Sequence, residues 1–136
     1  MGKELSIITA LHQETKRDCL ARMNDDKVAC MRVAKEYGFD YWDGSRRYGY
    51  GGYKYIPDRW TLVAEALIEY YQLSNESKLL DVGCGVGHHV KLFNKEGYKA
   101  EGLDKSKWMI EKAKEKYPDC KFKNGDVIES ITYPKN

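Results

Sequence analysis

The spacing of apolar residues changes near residue 78 and divides the chain into two parts. Up to residue 73, two stretches have apolar residues at helical spacing, whereas beyond residue 78 short apolar runs alternate with helical stretches. Residues 1 to about 38 are predicted to be helical, with Asp25 and Asp26 as N-cap candidates and Gly38 as the end of the run. The apolar face of this run comprises Val28, Met31, Val33, Ala34 and Tyr37.

Two further elements are predicted in this first part. Residues 39–55 are aromatic, too glycine-rich for a helix and without the alternation of a strand, so we expect an ordered aromatic loop. A second helix is predicted to end near Leu73, because a single apolar stripe contains Trp60, Val63, Ala64, Leu67, Ile68 and Tyr71. Residues 1–73 are therefore interpreted as N-terminal helices with an aromatic segment that forms either a lid or a packing surface.

From residue 78 the pattern is strand, helix, strand, helix, strand. The strands are predicted at residues 78–82, at 98–103 and around Cys120 and Phe122, and the second helix is expected to stop at Pro118. A β-α-β-α-β unit with short connections requires a parallel sheet. The predicted fold class is α/β, a Rossmann-like three-layer sandwich that is partial (three parallel strands) and carries an N-terminal helical extension. Residues 74–136 form its first half.

Composition narrows the function classes. The 136 residues include 42% hydrophobic ones, which suits one modest core, and the net charge of +2 comes from interspersed charges of both signs. This distribution gives no sign of a nucleic-acid or anionic-membrane surface. Four separated cysteines, without a C-x-x-C pair, predict free thiols, no metal site and a cytoplasmic location. No apolar run approaches the ~18 residues of a membrane span.

Each predicted strand ends in polar residues or glycines, and such ends are where open parallel sheets bind ligands. The first is followed by Asp81 and a loop with glycines at 83, 85 and 87, which lets a ligand approach the backbone. The second ends in Asp104, whose carboxylate can accept hydrogen bonds from a ribose diol. After the third, Asp126 can accept an adenine amino proton while Val127 offers a backbone N–H. Together these features indicate a site for an adenosine-containing ligand.

The three strand ends resemble motifs of the class I S-adenosylmethionine-dependent methyltransferases. Residues 79–87 (LLDVGCGVG) resemble the first motif, residues 102–109 (GLDKSKWM) the second, and residues 124–127 (NGDV) the adenine-contacting loop. The resemblance implies S-adenosyl-L-methionine as cofactor, with the first loop on its methionine end and apolar side chains after Asp104 on the adenine. The predicted cofactor-binding residues are Asp81, Gly83, Cys84, Gly85, Gly87, His88, Asp104, Lys105, Met109, Gly125, Asp126 and Val127.

Three other predictions concern groups outside these motifs. His88, in the first turn of its helix, is placed either near the cofactor carboxylate or on the plain surface. The aromatic segment packs over a core edge, covers the cofactor as a lid, or stacks on RNA. In the lid interpretation Arg46, Tyr48 and Tyr53 are the candidate lid or substrate contacts. No catalytic residue is assigned.

The sequence leaves alternative functions open. A nicotinamide-dependent oxidoreductase shares the β-α-β unit, but its G-x-G-x-x-G fingerprint requires glycine where His88 stands. The first strand would be an open edge carrying Leu80 and Val82, which invites a partner chain or self-association. We therefore expect a methyltransferase with a small-molecule acceptor, truncated after its third strand, or a catalytically silent cofactor-binding subunit that needs a partner.

Overall fold

The computed structural model describes residues 5–7, 20, 26–51 and 60–130 of the chain. Among them the helices are α1 (Lys27–Ala34), α2 (Phe39–Trp42), α3 (Thr61–Tyr71), α4 (His88–Lys95), α5 (Lys107–Lys116) and α6 (Val127–Ser130). The strands are β1 (Lys78–Val82), β2 (Lys99–Asp104) and β3 (Lys121–Asn124). The predicted N-cap candidate Asp25 and the predicted lid residue Tyr53 lie outside the described residues.

Helix α1 begins after a predicted N-cap residue but ends earlier than predicted. Asp26 caps α1, since its Oδ1 accepts a hydrogen bond from the backbone N–H of Ala29 at 3.1 Å. The prediction that the helix runs to Gly38 is wrong, because α1 ends at Ala34 and Tyr37 adopts a left-handed φ of +48°. The apolar face of α1 is largely uncovered, with Val28 exposed at 63%, so little burial favours extending the helix.

The expectation of a loop throughout residues 39–55 is wrong at its start. Residues 39–42 contain no glycine and form the short helix α2, in which the N–H of Asp43 donates to the carbonyl of Phe39 at 2.8 Å. The glycines that argued against a helix begin only at Gly44. The described residues after α2, up to Gly51, are turns and bends, as expected.

The second part of the chain follows the predicted order of elements. The strands are parallel and lie in the order β1-β2-β3. In register, Asp81 of β1 is opposite Gly102 of β2, and Asp104 at the end of β2 is opposite Asn124 at the end of β3. The carboxyl ends of the three strands therefore lie along one edge of the sheet. This arrangement confirms the predicted parallel sheet, in which the strand-end residues lie at the same edge.

Helices α3, α4 and α5 share one core against the sheet. The buried residues of this core are Ala64, Cys84, Val90, Phe93, Ala100, Ile110, Ala113 and Phe122. On β1, the alternate residues Leu80 and Val82 are exposed at 45% and 48%. Because side chains of a strand alternate between faces, one face of β1 is left uncovered by the described residues.

Candidate functional site

The glycine-rich loop after β1 is tied to the end of β2. The N–H groups of Gly83 and Cys84 both donate to the carbonyl of Leu103, at 2.7 and 3.2 Å. Gly83 and Gly87 have φ of +77° and +78°, a region that side chains disfavour. A Cβ at Gly83 would meet nothing within 4 Å, whereas at Gly87 it would lie 2.4 Å from the Phe122 ring. Gly83 thus borders open space, and Gly87 allows close packing.

Asp104 connects the first two strand ends through both carboxylate oxygens. Its Oδ2 accepts from the N–H of Gly85 at 2.8 Å, and its Oδ1 accepts from the N–H of Ser106 at 2.7 Å. The residue is only 9% exposed, so the carboxylate is held in one orientation. Since a carboxylate offers about four lone-pair positions, each oxygen can accept a further hydrogen bond from a ligand.

The third strand end is fastened to the second by backbone and amide hydrogen bonds. The N–H of Gly125 donates to the carbonyl of Asp104 at 3.0 Å, and the Asn124 amide donates to the same carbonyl at 2.9 Å. Asp126 accepts from the N–H of Ile128 at 2.9 Å and from the Lys105 ammonium at 3.0 Å. The backbone N–H of Ile128, followed by Lys105, lowers the pKa of Asp126, so it carries a negative charge at neutral pH.

A cleft of about 350 Å³ lies at this edge of the sheet. Its lining consists of Tyr37, Trp42, Val82, Gly83, Leu103, Asp104, Lys105, Ser106, Gly125, Asp126 and Val127. The volume falls within the range of roughly 300–1,000 Å³ that small-molecule and cofactor sites occupy. Six predicted site residues, drawn from all three strand ends, therefore line one cavity.

Two predicted site residues are packed inside the core. The Cys84 side chain lies next to Gly102, where an added Cβ would meet the sulfur at 2.7 Å. Burial, followed by the charges of Asp81 and Asp104, raises the pKa of the Cys84 thiol to about 12. Met109 is fully buried, and the hydroxyl of Ser106 accepts a hydrogen bond from its N–H. Neither residue lines the cleft.

His88 lies beside a different cavity. Its Nδ1 is 2.8 Å from the hydroxyl of Tyr117, and its ring borders a pocket between α4 and α5 that is also lined by Trp108 and Lys112. Desolvation, followed by the charges of Lys116 and His89, lowers the pKa of His88 to about 4. Its side chain is thus neutral at neutral pH and contacts Tyr117, the C-cap residue of α5, rather than the cleft.

Asp81 faces an apolar pocket of about 240 Å³ beneath α3. Its Oδ2 is 3.7 Å from His89 Nδ1 and has no hydrogen-bond partner among the described residues. Desolvation raises the pKa of Asp81, His89 acts against this effect, and Asp104 adds to it. Asp81 therefore does not line the cleft, although it lies two residues before Gly83, which does.

Of the predicted lid residues, the two within the described part of the chain, Arg46 and Tyr48, do not line the cleft. Arg46 donates from its guanidinium to the carbonyl of Tyr50 at 2.6 Å, and the ring of Tyr48 lies 5.7 Å from the Arg47 guanidinium. The cleft is nevertheless lined by Trp42 of the aromatic segment and by Tyr37, two residues before the segment begins. Sequence reasoning missed both of these residues, because no spacing rule singles out two aromatic residues upstream of the motifs.

Ser106 was also missed as a site residue, although a detectable signal existed. It follows Asp104 by two residues and precedes α5, which is the N-cap position where serine is preferred. The structure shows its hydroxyl accepting from the N–H of Met109 at 3.3 Å and lining the cleft.

The described part of the chain contains neither a metal-binding cluster nor a membrane-spanning helix. No group of three or more histidine, cysteine, aspartate or glutamate side chains within it could hold a metal ion. None of its helices is long and apolar enough to cross a membrane.

Comparison with known proteins assigns the second part of the chain. Residues 79–136 match the family model of a methyltransferase domain. A sugar N,N-dimethyltransferase of Streptomyces venezuelae, dTDP-3-amino-3,4,6-trideoxy-alpha-D-glucopyranose N,N-dimethyltransferase, is 41% identical over 51 residues, which are 38% of this chain and 22% of that protein. Trans-aconitate 2-methyltransferase of Paracidovorax citrulli is 31% identical over 84 residues, which are 60% of this chain and 32% of that protein.

These matches identify the class of the matched region. Residues 79–136 match the methyltransferase domain family, and the predicted resemblance to S-adenosylmethionine-dependent methyltransferases is confirmed for this region. The chain spans between a fifth and a third of the length of the curated relatives reported above.

Proposed function

We propose that this chain binds S-adenosyl-L-methionine in the cleft at the strand ends and serves an S-adenosylmethionine-dependent methyltransferase with a small-molecule acceptor. The proposal rests on one observation above all. Residues from three successive strand ends, among them Gly83, Asp104 and Asp126, line one cavity of about 350 Å³. The family of residues 79–136 and the names of the relatives, which methylate an amino sugar and a carboxylic acid, support the same reaction class.

The groups around the cleft fit such a cofactor. Gly83 borders open space, so a ligand can approach its backbone. Asp104 has one protein donor on each oxygen and can accept two further hydrogen bonds, which matches a ribose diol. Asp126 is exposed enough to exchange its ion pair with Lys105 for a contact with an adenine amino group, while Val127 lies beside it.

Each strand end therefore receives one part of the cofactor in this proposal. Gly83 and Gly85, with Asp81 behind them, hold the methionine end, Asp104 holds the ribose, and Asp126 with Val127 holds the adenine. Cys84 and Gly87 contribute through the loop backbone, since the Cys84 side chain and the Gly87 Cα face the core. Lys105 and Gly125 line the adenine side, and Met109 supports that side from within the core.

The bound cofactor supplies an electrophilic methyl carbon that a nucleophile on the acceptor attacks in line. The part of this chain is to fix the cofactor in one orientation, because positioning against that carbon accounts for much of the rate in such displacements. No described residue is assigned as a base or as an acceptor contact.

A partner chain or a second copy is the remaining part of the proposal. The uncovered face and edge of β1, with Leu80 and Val82 about half exposed, favour pairing with a further strand. Size-exclusion chromatography with light scattering tests this point, and a stable monomer whose β1 amides exchange rapidly would contradict it. Free thiols at Cys30, Cys84 and Cys120 support a cytoplasmic location.

Calorimetric titration with S-adenosylmethionine, S-adenosylhomocysteine and NAD⁺ tests the cofactor. We expect binding of the first two only. Heat with NAD⁺ alone would favour the oxidoreductase alternative, and binding without turnover on any acceptor would favour the catalytically silent subunit.

Asp104→Ala is expected to weaken S-adenosylhomocysteine binding by roughly 1–3 kcal/mol, because hydrogen bonds to the ribose diol are lost. Asp119→Ala is the matched control, since Asp119 is an exposed carboxylate paired with Lys91 and does not line the cleft. Equal affinities of the two variants would contradict the ribose assignment.

A further inference from the structure

The aromatic segment before α3 forms a cluster beside the cleft. Tyr41 lies at the centre of the cluster, with ring centroids 5.4 Å from Tyr37, 4.7 Å from Trp42 and 5.7 Å from Tyr50. The rings of Trp42 and Tyr50 are also 4.9 Å apart. The cluster is further tied by the N–H of Tyr50, which donates to the carbonyl of Tyr41 at 2.8 Å. Two members of this cluster, Tyr37 and Trp42, line the cleft itself.

Ser106 joins this cluster to the proposed cofactor site. Its hydroxyl donates to the carbonyl of Tyr37 at 2.5 Å and accepts from the indole N–H of Trp42 at 3.3 Å. The same indole N–H also donates to the Tyr37 carbonyl at 3.0 Å. The backbone N–H of Ser106 donates to Asp104, so a continuous chain of hydrogen bonds runs from the acid to the two aromatic residues. Ser106 itself is buried, with 3% of its surface exposed.

The backbone of Tyr37 shows how firmly the two parts are joined. Its φ of +48° lies in the left-handed region, which bulky side chains seldom adopt. Two donors, from Ser106 and Trp42, converge on its carbonyl oxygen and hold this conformation. Strain of this kind persists where the surrounding contacts over-determine it, often at ligand sites.

The position of Tyr37 indicates which end of the cleft the aromatic residues border. The Tyr37 carbonyl accepts a hydrogen bond from Ser106, the residue after Lys105, and the Lys105 ammonium donates to Asp126 at 3.0 Å in the same cleft. Tyr37 thus lies on the side of Lys105 and Asp126, where the adenine is proposed to bind.

We infer that Tyr37 and Trp42 form an aromatic wall that stacks on the adenine of the bound cofactor, and that Ser106 is a positioning residue that locks this wall to Asp104. The inference rests on the proposed function for the identity of the cofactor. Stacking of a base on an aromatic side chain is tolerant of detail and strong enough to affect affinity measurably. The wall gives the N-terminal segment a role in cofactor binding that the motifs of the second part do not supply.

The test compares two ligands that share the nucleoside and differ in the amino-acid end. Calorimetry is run with S-adenosylhomocysteine and with 5′-methylthioadenosine, which lacks the carboxylate and amine. Trp42→Ala is expected to weaken both ligands by the same factor, about tenfold. Trp42→Phe is expected to recover most of the affinity. Trp108→Ala is the control, because Trp108 contacts Phe39 and borders the other pocket.

The possible outcomes distinguish a failure of the aromatic-wall inference from a failure of the proposed cofactor binding. A wild-type protein that binds neither ligand would overturn the proposed function. Wild-type binding that is unchanged in a folded Trp42→Ala variant would overturn only the wall, as would a loss confined to S-adenosylhomocysteine. Thermal unfolding of each variant, followed by circular dichroism, shows whether it is folded.

The positioning role of Ser106 needs its own readout. The chain has three tryptophans, so Trp42 is the only one left in a Trp60→Phe, Trp108→Phe background. In this background 5′-methylthioadenosine is expected to quench the fluorescence of Trp42. Adding Ser106→Ala should reduce the quenching at saturating ligand, and Ser106→Thr, which keeps the hydroxyl, should restore it. Equal quenching in all three proteins would contradict the positioning role.

Discussion

The glycine-rich loop after β1 and residues 37–51, which comprise Tyr37 and the described part of the aromatic segment, border the same cleft, but they are held by different forces. The loop is fixed by backbone hydrogen bonds to the end of β2 and by contact of Gly87 with the buried Phe122. The aromatic segment is held by ring contacts, by hydrogen bonds among its own residues and by the Ser106 hydroxyl, and several of its residues are exposed. A change in the loop should therefore disturb the whole domain, whereas a change in the segment should disturb the cleft alone.

The largest expected effect is on the loop side. Gly87→Ala combines a left-handed φ with a Cβ 2.4 Å from the Phe122 ring, and we expect the free energy of unfolding to fall by about 2–4 kcal/mol. Urea unfolding followed by circular dichroism measures this change.

Gly97→Ala is the matched control for Gly87→Ala. Gly97 has a φ of +89°, yet an added Cβ would meet nothing within 4 Å. It should therefore lose only about 1–2 kcal/mol, the cost of the left-handed conformation. If both variants lost the same stability, contact with Phe122 would not be what requires glycine at position 87.

A smaller effect is expected from the corresponding change in the aromatic segment. At Gly49 an added Cβ would lie 2.1 Å from the Tyr41 carbonyl, which accepts the hydrogen bond from Tyr50. Gly49→Ala should displace the aromatic cluster and weaken S-adenosylhomocysteine binding about fivefold, or about 1 kcal/mol, while unfolding changes less than in Gly87→Ala.

The control for this variant is Gly38→Ala, at the other end of the segment. An added Cβ there would meet nothing within 4 Å, and the φ of −92° suits alanine. We expect wild-type affinity and stability. Global unfolding of Gly49→Ala, at the level of Gly87→Ala, would contradict the distinction between the two regions.

The same contrast explains what could be predicted from the sequence. The second part follows local rules, since glycine after a strand, an acid at the next strand end and helical periodicity each have one structural meaning. The strand bounds and the convergence of Gly83, Asp104 and Asp126 were therefore predictable. The side-chain directions within the glycine-rich loop were not, because the pattern does not say that Cys84 points into the core.

The first part depends on tertiary contacts and was predicted less well. Helix α2 and the left-handed Tyr37 are held by ring packing and by Ser106, 69 residues further along the chain. No periodicity within residues 39–51 carries that information. The link to the cleft consists of contacts between Ser106, after the end of β2, and the aromatic residues, and these contacts exist only in the folded structure.

The smallest predicted effect distinguishes motif residues that face the cleft from those that support the fold. His88 has a pKa lowered to about 4, against 6.5 when unfolded, so the unfolded chain binds more protons between these values. Stability should therefore fall as pH decreases from 6.5 to 4, by about 1 kcal/mol after allowance for solvent screening. His88→Asn, whose amide can replace Nδ1 opposite Tyr117, should flatten this part of the pH profile. Because His88 lines the other pocket, the His88→Asn variant should bind S-adenosylhomocysteine at pH 7.5 with wild-type affinity. A loss of affinity in this variant would show that His88 does contribute to cofactor binding.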